Sequence, residues 1–274
     1  MEFVWREEGP SSVGPSPGSV MITAFPSAGL ASIVAGHYMV RSLTLPRVGR
    51  FESPDLSPIA VIQGGIVHPA VRVYGRGNVG LVISEFPPSP AQANAIAKTI
   101  LDNAERRKVR LIVGLEGVVP HPITEEEESE GGGAEGSAEP TAEARTDAAP
   151  EQVWVAYSRR DAGVLKAFEP TRARALEDGV IGGVSGSLLV QGIGRTIPVA
   201  VLLVSTRLAE GLPDHRAAAA LIETLDRLLP EIKIDTGPLR AQAEEIEKAL
   251  RAALKAHRQA HPETPTTPVG EMYR

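Results

Sequence analysis

The chain contains no cysteine, which excludes disulfides, thiolate metal sites and cysteine nucleophiles together. Long hydrophobic runs are missing too. The apolar stretch "VAVLLV" at residues 199–204 falls far short of the length needed to cross a bilayer. The opening "MEFVWREEGPSSVGPSPGSV" lacks a basic segment followed by an apolar one, so no secretory signal is expected and the cytoplasm is the expected compartment. Asn and Gln are scarce, which suits a heat-loving source. Six histidines are scattered at positions 37, 68, 121, 215, 257 and 261 without an H-E-x-x-H or comparable spacing, so neither a metal site nor a cofactor is expected. Nor is there a strong basic excess. The net charge is −6, but residues 122–151 hold ten acids and one base, leaving 24 acids and 27 bases elsewhere. That near-balance points to no nucleic-acid partner and no membrane partner.

What is present reads as strands alternating with helices. "SVMITAF" (19–25) reads as a buried strand, and the spacing of Leu30, Ile33, Val34, His37, Tyr38 and Arg41 predicts a helix over 26–43. "SPIAVIQGG", "AVRVYG" and "NVGLVISEF" read as strands, the last two joined by a hairpin at "GRGN" (75–78). Ser89 with Pro90 opens a helix over 89–108, and "VRLIVGLEGV" (109–118) is the next strand. Residues 122–151 carry almost no large apolar side chains and read as a disordered acidic loop inserted in the domain. Strand character resumes at "QVWVAYS" (152–158). "DGVIGGVSGSLLVQGIG" (178–194) ends in a helix and "IPVAVLLVST" (197–206) is a strand. Asp214 caps a further helix. A last one carries Leu239, Ile246, Leu250, Ala253 and His257 along one stripe, with Glu244–Lys248 and Glu247–Arg251 in the stabilising order. The expectation is one α/β domain over 19–257 whose sheet is covered on both faces, preceded by a flexible segment (1–18) and followed by an extended tail (258–274).

Catalytic motifs fail on inspection. "GRGNVG" fits G-x-G-x-x-G, but a strand follows where a dinucleotide site needs a helix, so the hairpin reading is favoured. "GGVSGS" falls short of a nucleophile elbow because Ser187 stands where glycine is required. Two weak features remain. Glu85 lies at the end of a strand, where α/β proteins place ligand groups. The turn of Gly182, Gly183, Ser185 and Gly186 could offer a backbone anion site at a helix start. Together they are the candidate pocket of an alternative reading, a nucleoside- or phosphate-binding enzyme.

The end of the chain is more distinctive. Pro262, Pro265 and Pro268 recur at steps of three, and such spacing stiffens a chain toward an extended form rising about 3.1 Å per residue, so a dozen residues reach roughly 40 Å. The tip, Glu271-Met272-Tyr273-Arg274, then offers an apolar side chain, a phenol and a free carboxylate, and capture of a terminal carboxylate is a recurring recognition mode.

That tip resembles the hydrophobic-Tyr-X motif by which proteasome activators dock on the core particle. In order along the body, "PSAGLASIVAGHYMV", "SEFPPSP", "GVIGGVSGSLLV", "VAVLLVST" and "PDHRAAAALIETLDRLLPEIKIDTGPLRAQAEEIEKAL" resemble the archaeal branch of the proteasome assembly chaperone family, over most of residues 19–250. The resemblance implies a three-layer α/β/α sandwich similar to nucleoside phosphorylases, with C-terminal helices and a disordered tail. It also implies a non-enzymatic homo-oligomer whose partner is the α-ring of the proteasome core particle. Carried onto this chain, the motif gives Met272 the apolar contact, Tyr273 the gate-facing ring and hydroxyl, and Arg274 the terminal carboxylate, which in activators pairs with a lysine between neighbouring α subunits.

Overall fold

A computed structural model describes residues 2–8, 14–56, 58–119, 151–207 and 213–260, with side chains to residue 249. The acidic loop apart from Glu151, and the tail from His261 through Met272, Tyr273 and Arg274, lie outside the described residues. The central strands are β2 (Pro15–Ala24), β6 (Val71–Ser84), β7 (Leu111–Val118) and β10 (Val199–Ser205). They lie parallel, β2 between β6 and β7, with β10 beyond β7. Both faces of these strands are covered, which is why they read as continuous apolar runs.

β1 (Val4–Glu7) and β3 (Arg47–Glu52) extend the sheet beyond β6; β8 (Val153–Tyr157) and β9 (Arg174–Ala175) extend it beyond β10. Alternate residues feed two cores. Ile22, Ile83, Val113 and Leu202 face α1 (Ala31–Ser42), α3 (Ala162–Phe168), α5 (His215–Leu228) and the first turns of α6 (Gly237–Ala260). Met21, Val82, Ile112 and Val199 face α2 (Pro90–Arg106) and α4 (Gly183–Gly192). The architecture is therefore the expected three layers, helices on both faces of one large sheet.

β6 is one unbroken run of 14 extended residues, yet it is not straight. Laid out flat it would separate Arg72 from Glu85 by about 40 Å, whereas their side chains are in contact. Its first residues pair antiparallel with β3 and its last pair parallel with β2, so the run folds back on itself at Gly77, which takes φ +56°. The "GRGN" turn is thus present inside β6, with Gly77 as its left-handed residue. A second, detached hairpin joins β4 (Ala60–Gln63) to β5 (Ile66–Pro69) and pairs with nothing else in the sheet.

Some expectations need correction. Regular helix begins at Ala31, not residue 26. Gly29 and Leu30 both take positive φ (59° and 47°), making a separate turn ahead of α1. Of the segment 1–18, the described residues are held by the body: β1 pairs with β3, β2 begins at Pro15, and Phe3 and Trp5 are buried on the α2 side. Of residues 57–65, only Ala60–Gln63 form a strand, and it stands apart from the main sheet. Glu247 also pairs with Arg216 of α5, whose Nε lies 2.6 Å from Oε1 of the glutamate; the side chain of Arg251 lies outside those described. The starts of α2 and α5 are as read. Ser89 and Gln92 form a reciprocal capping box with Pro90 in the first turn of α2, and Asp214 accepts from the Ala217 N–H at 3.0 Å.

Candidate functional site

In an open α/β sheet the natural ligand crevice lies at the carboxyl ends of the strands where the winding reverses. Here that place is between β2 and β7, because α1 leads from β2 toward β6 on one face and α2 leads from β6 to β7 on the other. The protein's own chain fills it. The turn Ser27–Leu30 lies over Gly117, whose N–H donates to Ser27 Oγ at 2.9 Å. A Cβ at Gly117 would overlap the Ala28 carbonyl oxygen and crowd the Thr206 methyl at 2.9 Å. The Asp214 N–H donates to the Gly29 carbonyl at 2.7 Å, and the Thr206 N–H to the Val118 carbonyl at 2.8 Å. The positive φ values at Gly29 and Leu30 buy this close seating.

Glu85 stands just past the end of β6, on the α1 side. His37 Nε2 lies 2.7 Å from Glu85 Oε1, and the same oxygen contacts the guanidinium of Arg72, which is fully buried. Arg72 also donates to the Pro69 carbonyl at 3.1 Å. Burial pushes the Glu85 carboxyl up, but the hydrogen bond from His37 and the charge of Arg72 outweigh it and hold the group below the usual carboxylate range. A carboxylate so engaged is a structural anion and a poor proton acceptor.

The glycine turn lies on the opposite face. Gly182 is the N-cap of α4, Gly183 opens the helix, and a Cβ at Gly186 would overlap the Ile181 carbonyl, so the loop packs directly on the first turn. Ser185 points at the sheet and hydrogen-bonds Glu116 on β7; burial pushes that carboxyl up to about 7 against the Ser185 contact. α4 packs on α2, with Ser187 and Asn94 side chains 2.9 Å apart. Glu85 and the Gly182–Gly186 turn are therefore separated by the sheet and do not converge on one pocket. Among the described residues no group of three His, Asp or Glu could hold a metal ion, and no helix is long and apolar enough to cross a membrane. Sequence reasoning missed Arg72 and Glu116, whose signal was a lone charge inside the apolar strands "AVRVYG" and "LIVGLEGV".

α6 runs back along α5. Arg240 forms a paired contact with Glu223 (2.8 Å from both Nε and Nη2), and further on Glu247 meets Arg216 at the first turn of α5. Glu151, the last residue of the acidic segment, lies 3.4 Å from Arg207 and 3.6 Å from Arg240. Beyond Glu247 the helix continues to Ala260, a further overhang of about 20 Å at 1.5 Å per residue. It leaves the body beside the start of α5, at the carboxyl end of the sheet.

The chain matches the PAC2 family over residues 21–254. It is 26% identical over 240 residues to an uncharacterized protein of Methanocaldococcus jannaschii, covering 87% of this chain and 86% of that one. Its fold is similar to Pyrococcus furiosus PbaA, described as an archaeal homolog of proteasome-assembly chaperone (TM-score 0.74, 22% identity, 96% of this chain and 95% of that one). It is similar also to P. furiosus PbaB, described as an archaeal proteasome activator (TM-score 0.71, 18% identity, 92% and 98%). With a family match spanning most of its length and folds of that kind around it, this chain belongs to the PAC2 family.

Proposed function

We propose that this protein is a non-enzymatic proteasome assembly chaperone or activator of the cytoplasm. It works as a homo-oligomer whose C-terminal tails dock in pockets of the proteasome α-ring. The observation that carries this reading is α6, a 24-residue helix that runs past its partner α5 and leads directly into the Pro-spaced tail. A helical stalk followed by a stiff spacer delivers Met272, Tyr273 and the Arg274 carboxylate far from the body. Membership in the PAC2 family and the likeness to PbaA and PbaB support the same partner. One three-residue contact binds weakly, on the order of millimolar, but several tails on one assembly act together through effective concentration.

The enzyme alternative draws no support from the site. Its crevice is filled by Ser27–Leu30, and Glu85 is committed to Arg72 and His37. The test is peptide hydrolysis by a cognate core particle in the presence of the full chain, of the chain lacking Met272–Arg274, and of a tail peptide as free acid or amide. Assistance lost with the three residues, and weaker binding of the amide, are expected. Full activity of the truncated chain would refute tail docking, and equal affinity of the two peptides would remove the carboxylate from the contact.

A further inference from the structure

The detached hairpin β4–β5 and the residue before it gather four of the exposed large aliphatic side chains among the described residues, Ile59, Ile62, Ile66 and Val67. Its turn, Gly64 and Gly65 at φ 57° and 76°, has the two positive values of a tight type I′ connection. The register sets Ile62 opposite Val67 and Ala60 opposite Pro69 on one face. Ile62 and Val67 are each 63% exposed, Ile66 is 65% and Ile59 43%. The base of the arm, in contrast, is fixed to the body. Arg47 hydrogen-bonds His68 at 3.0 Å, Arg72 holds the Pro69 carbonyl at 3.1 Å, and Gln92 holds the Asp55 carbonyl at 2.7 Å.

Two physical points say that the tip is covered in solution. An isolated two-stranded hairpin has marginal stability in water, and both outer edges of this one are unpaired among the described residues. Free edges are ordinarily protected by charge, yet no Asp, Glu, Lys or Arg occurs from Leu56 to Val71. The cover must itself be apolar, which argues against nucleic acid, acidic peptides and anionic lipid surfaces. Ile62 and Val67 lie on one face and Ile66 on the other, so the exposed aliphatics wrap the tip; with Ile59 they leave on the order of 400 Å² uncovered, about half of what one partner contributes to a standard interface. An identical arm supplies a matching uncharged face and a matching free edge, and isologous pairing doubles each contact.

We propose that the β4–β5 arm is a clasp for a second copy of this chain, with Ile62 and Val67 of one arm buried against the same pair of the other. The proposal rests on the homo-oligomer reading above and assigns its contact.

The test uses the full chain. Sedimentation mass, far-UV circular dichroism and core-particle capture are measured for the wild type, for Ile62→Lys/Val67→Lys, and for the chain lacking Met272–Arg274. Both arm positions are exposed, so the substitutions leave the fold intact and the dichroism unchanged. The wild type is expected at a multiple of the 29.0 kDa chain mass. The arm variant is expected to dissociate, its self-association weakened about 30-fold or more as for hot-spot residues. The tail deletion keeps the wild-type mass. An arm variant of wild-type mass, a wild type of single-chain mass, or an arm variant that loses capture at unchanged mass would each overturn the clasp. A wild-type oligomer that dissociates on arm substitution but never captures a core particle upholds the clasp and refutes the tail reading, so the two failures are distinguishable.

Discussion

Glu85 and Glu116 sit near the same end of the sheet, and their surroundings drive them in opposite directions. Glu116, partly buried on β7 against α4, has Ser185 beside it, and burial pushes its carboxyl up to about 7. Folded protein then holds a proton that the unfolded chain releases near 4.5, so stability falls as pH rises from about 4.5 to about 7 and is flat above. A gap of two to three pKa units corresponds to roughly 3 kcal/mol. Glu116→Gln removes that titration. Denaturant unfolding at pH 5 and pH 8 is expected to show the variant gaining on the wild type at pH 8; parallel pH profiles would contradict this. Glu85 behaves in the reverse sense, since its lowered pKa gives stability that is lost as pH falls below the ordinary carboxylate range. Glu85→Ala leaves the fully buried Arg72 cation without its carboxylate. Such broken pairs cost about 3–5 kcal/mol, readable as a drop in the urea midpoint, with partial recovery in Glu85→Ala/Arg72→Met.

At the scale of elements, what was legible had local chemistry. Ser89-Pro90-Ala91-Gln92 announced α2, Asp214 announced α5, and "GRGN" announced the turn at Gly77. Ser89→Ala is expected to cost about 1 kcal/mol through the lost cap, measured by the same unfolding titration. β1 and β3 were missed because each is short and polar on one side, and the buried Phe3, Trp5 and Phe51 show their role only once α2 covers them. The turn ahead of α1 was invisible for a different reason. Its apolar spacing suits a helix, and only the tertiary contact with Gly117 rewards the left-handed residues Gly29 and Leu30. Gly117→Ala should therefore destabilise by about 1–3 kcal/mol by forcing the Ala28 carbonyl away. The two halves of the candidate pocket looked adjacent in chemistry, but sequence alone does not say that the sheet lies between Glu85 and α4.

At the scale of the molecule, the proposed function lies away from the sheet's own crevice. The reversal point is sealed by Ser27–Leu30, and the described features the proposals rest on are the apolar arm β4–β5 and the long helix α6. In the proposed reading one supplies copies and the other supplies contacts, which is the arrangement a weak terminal motif needs in order to act. The most direct test is capture of a cognate core particle by the tagged full chain, with and without Met272–Arg274, at matched oligomer mass. The account predicts capture by the full chain and its loss on removing the three residues. Equal capture by the truncated chain would contradict it.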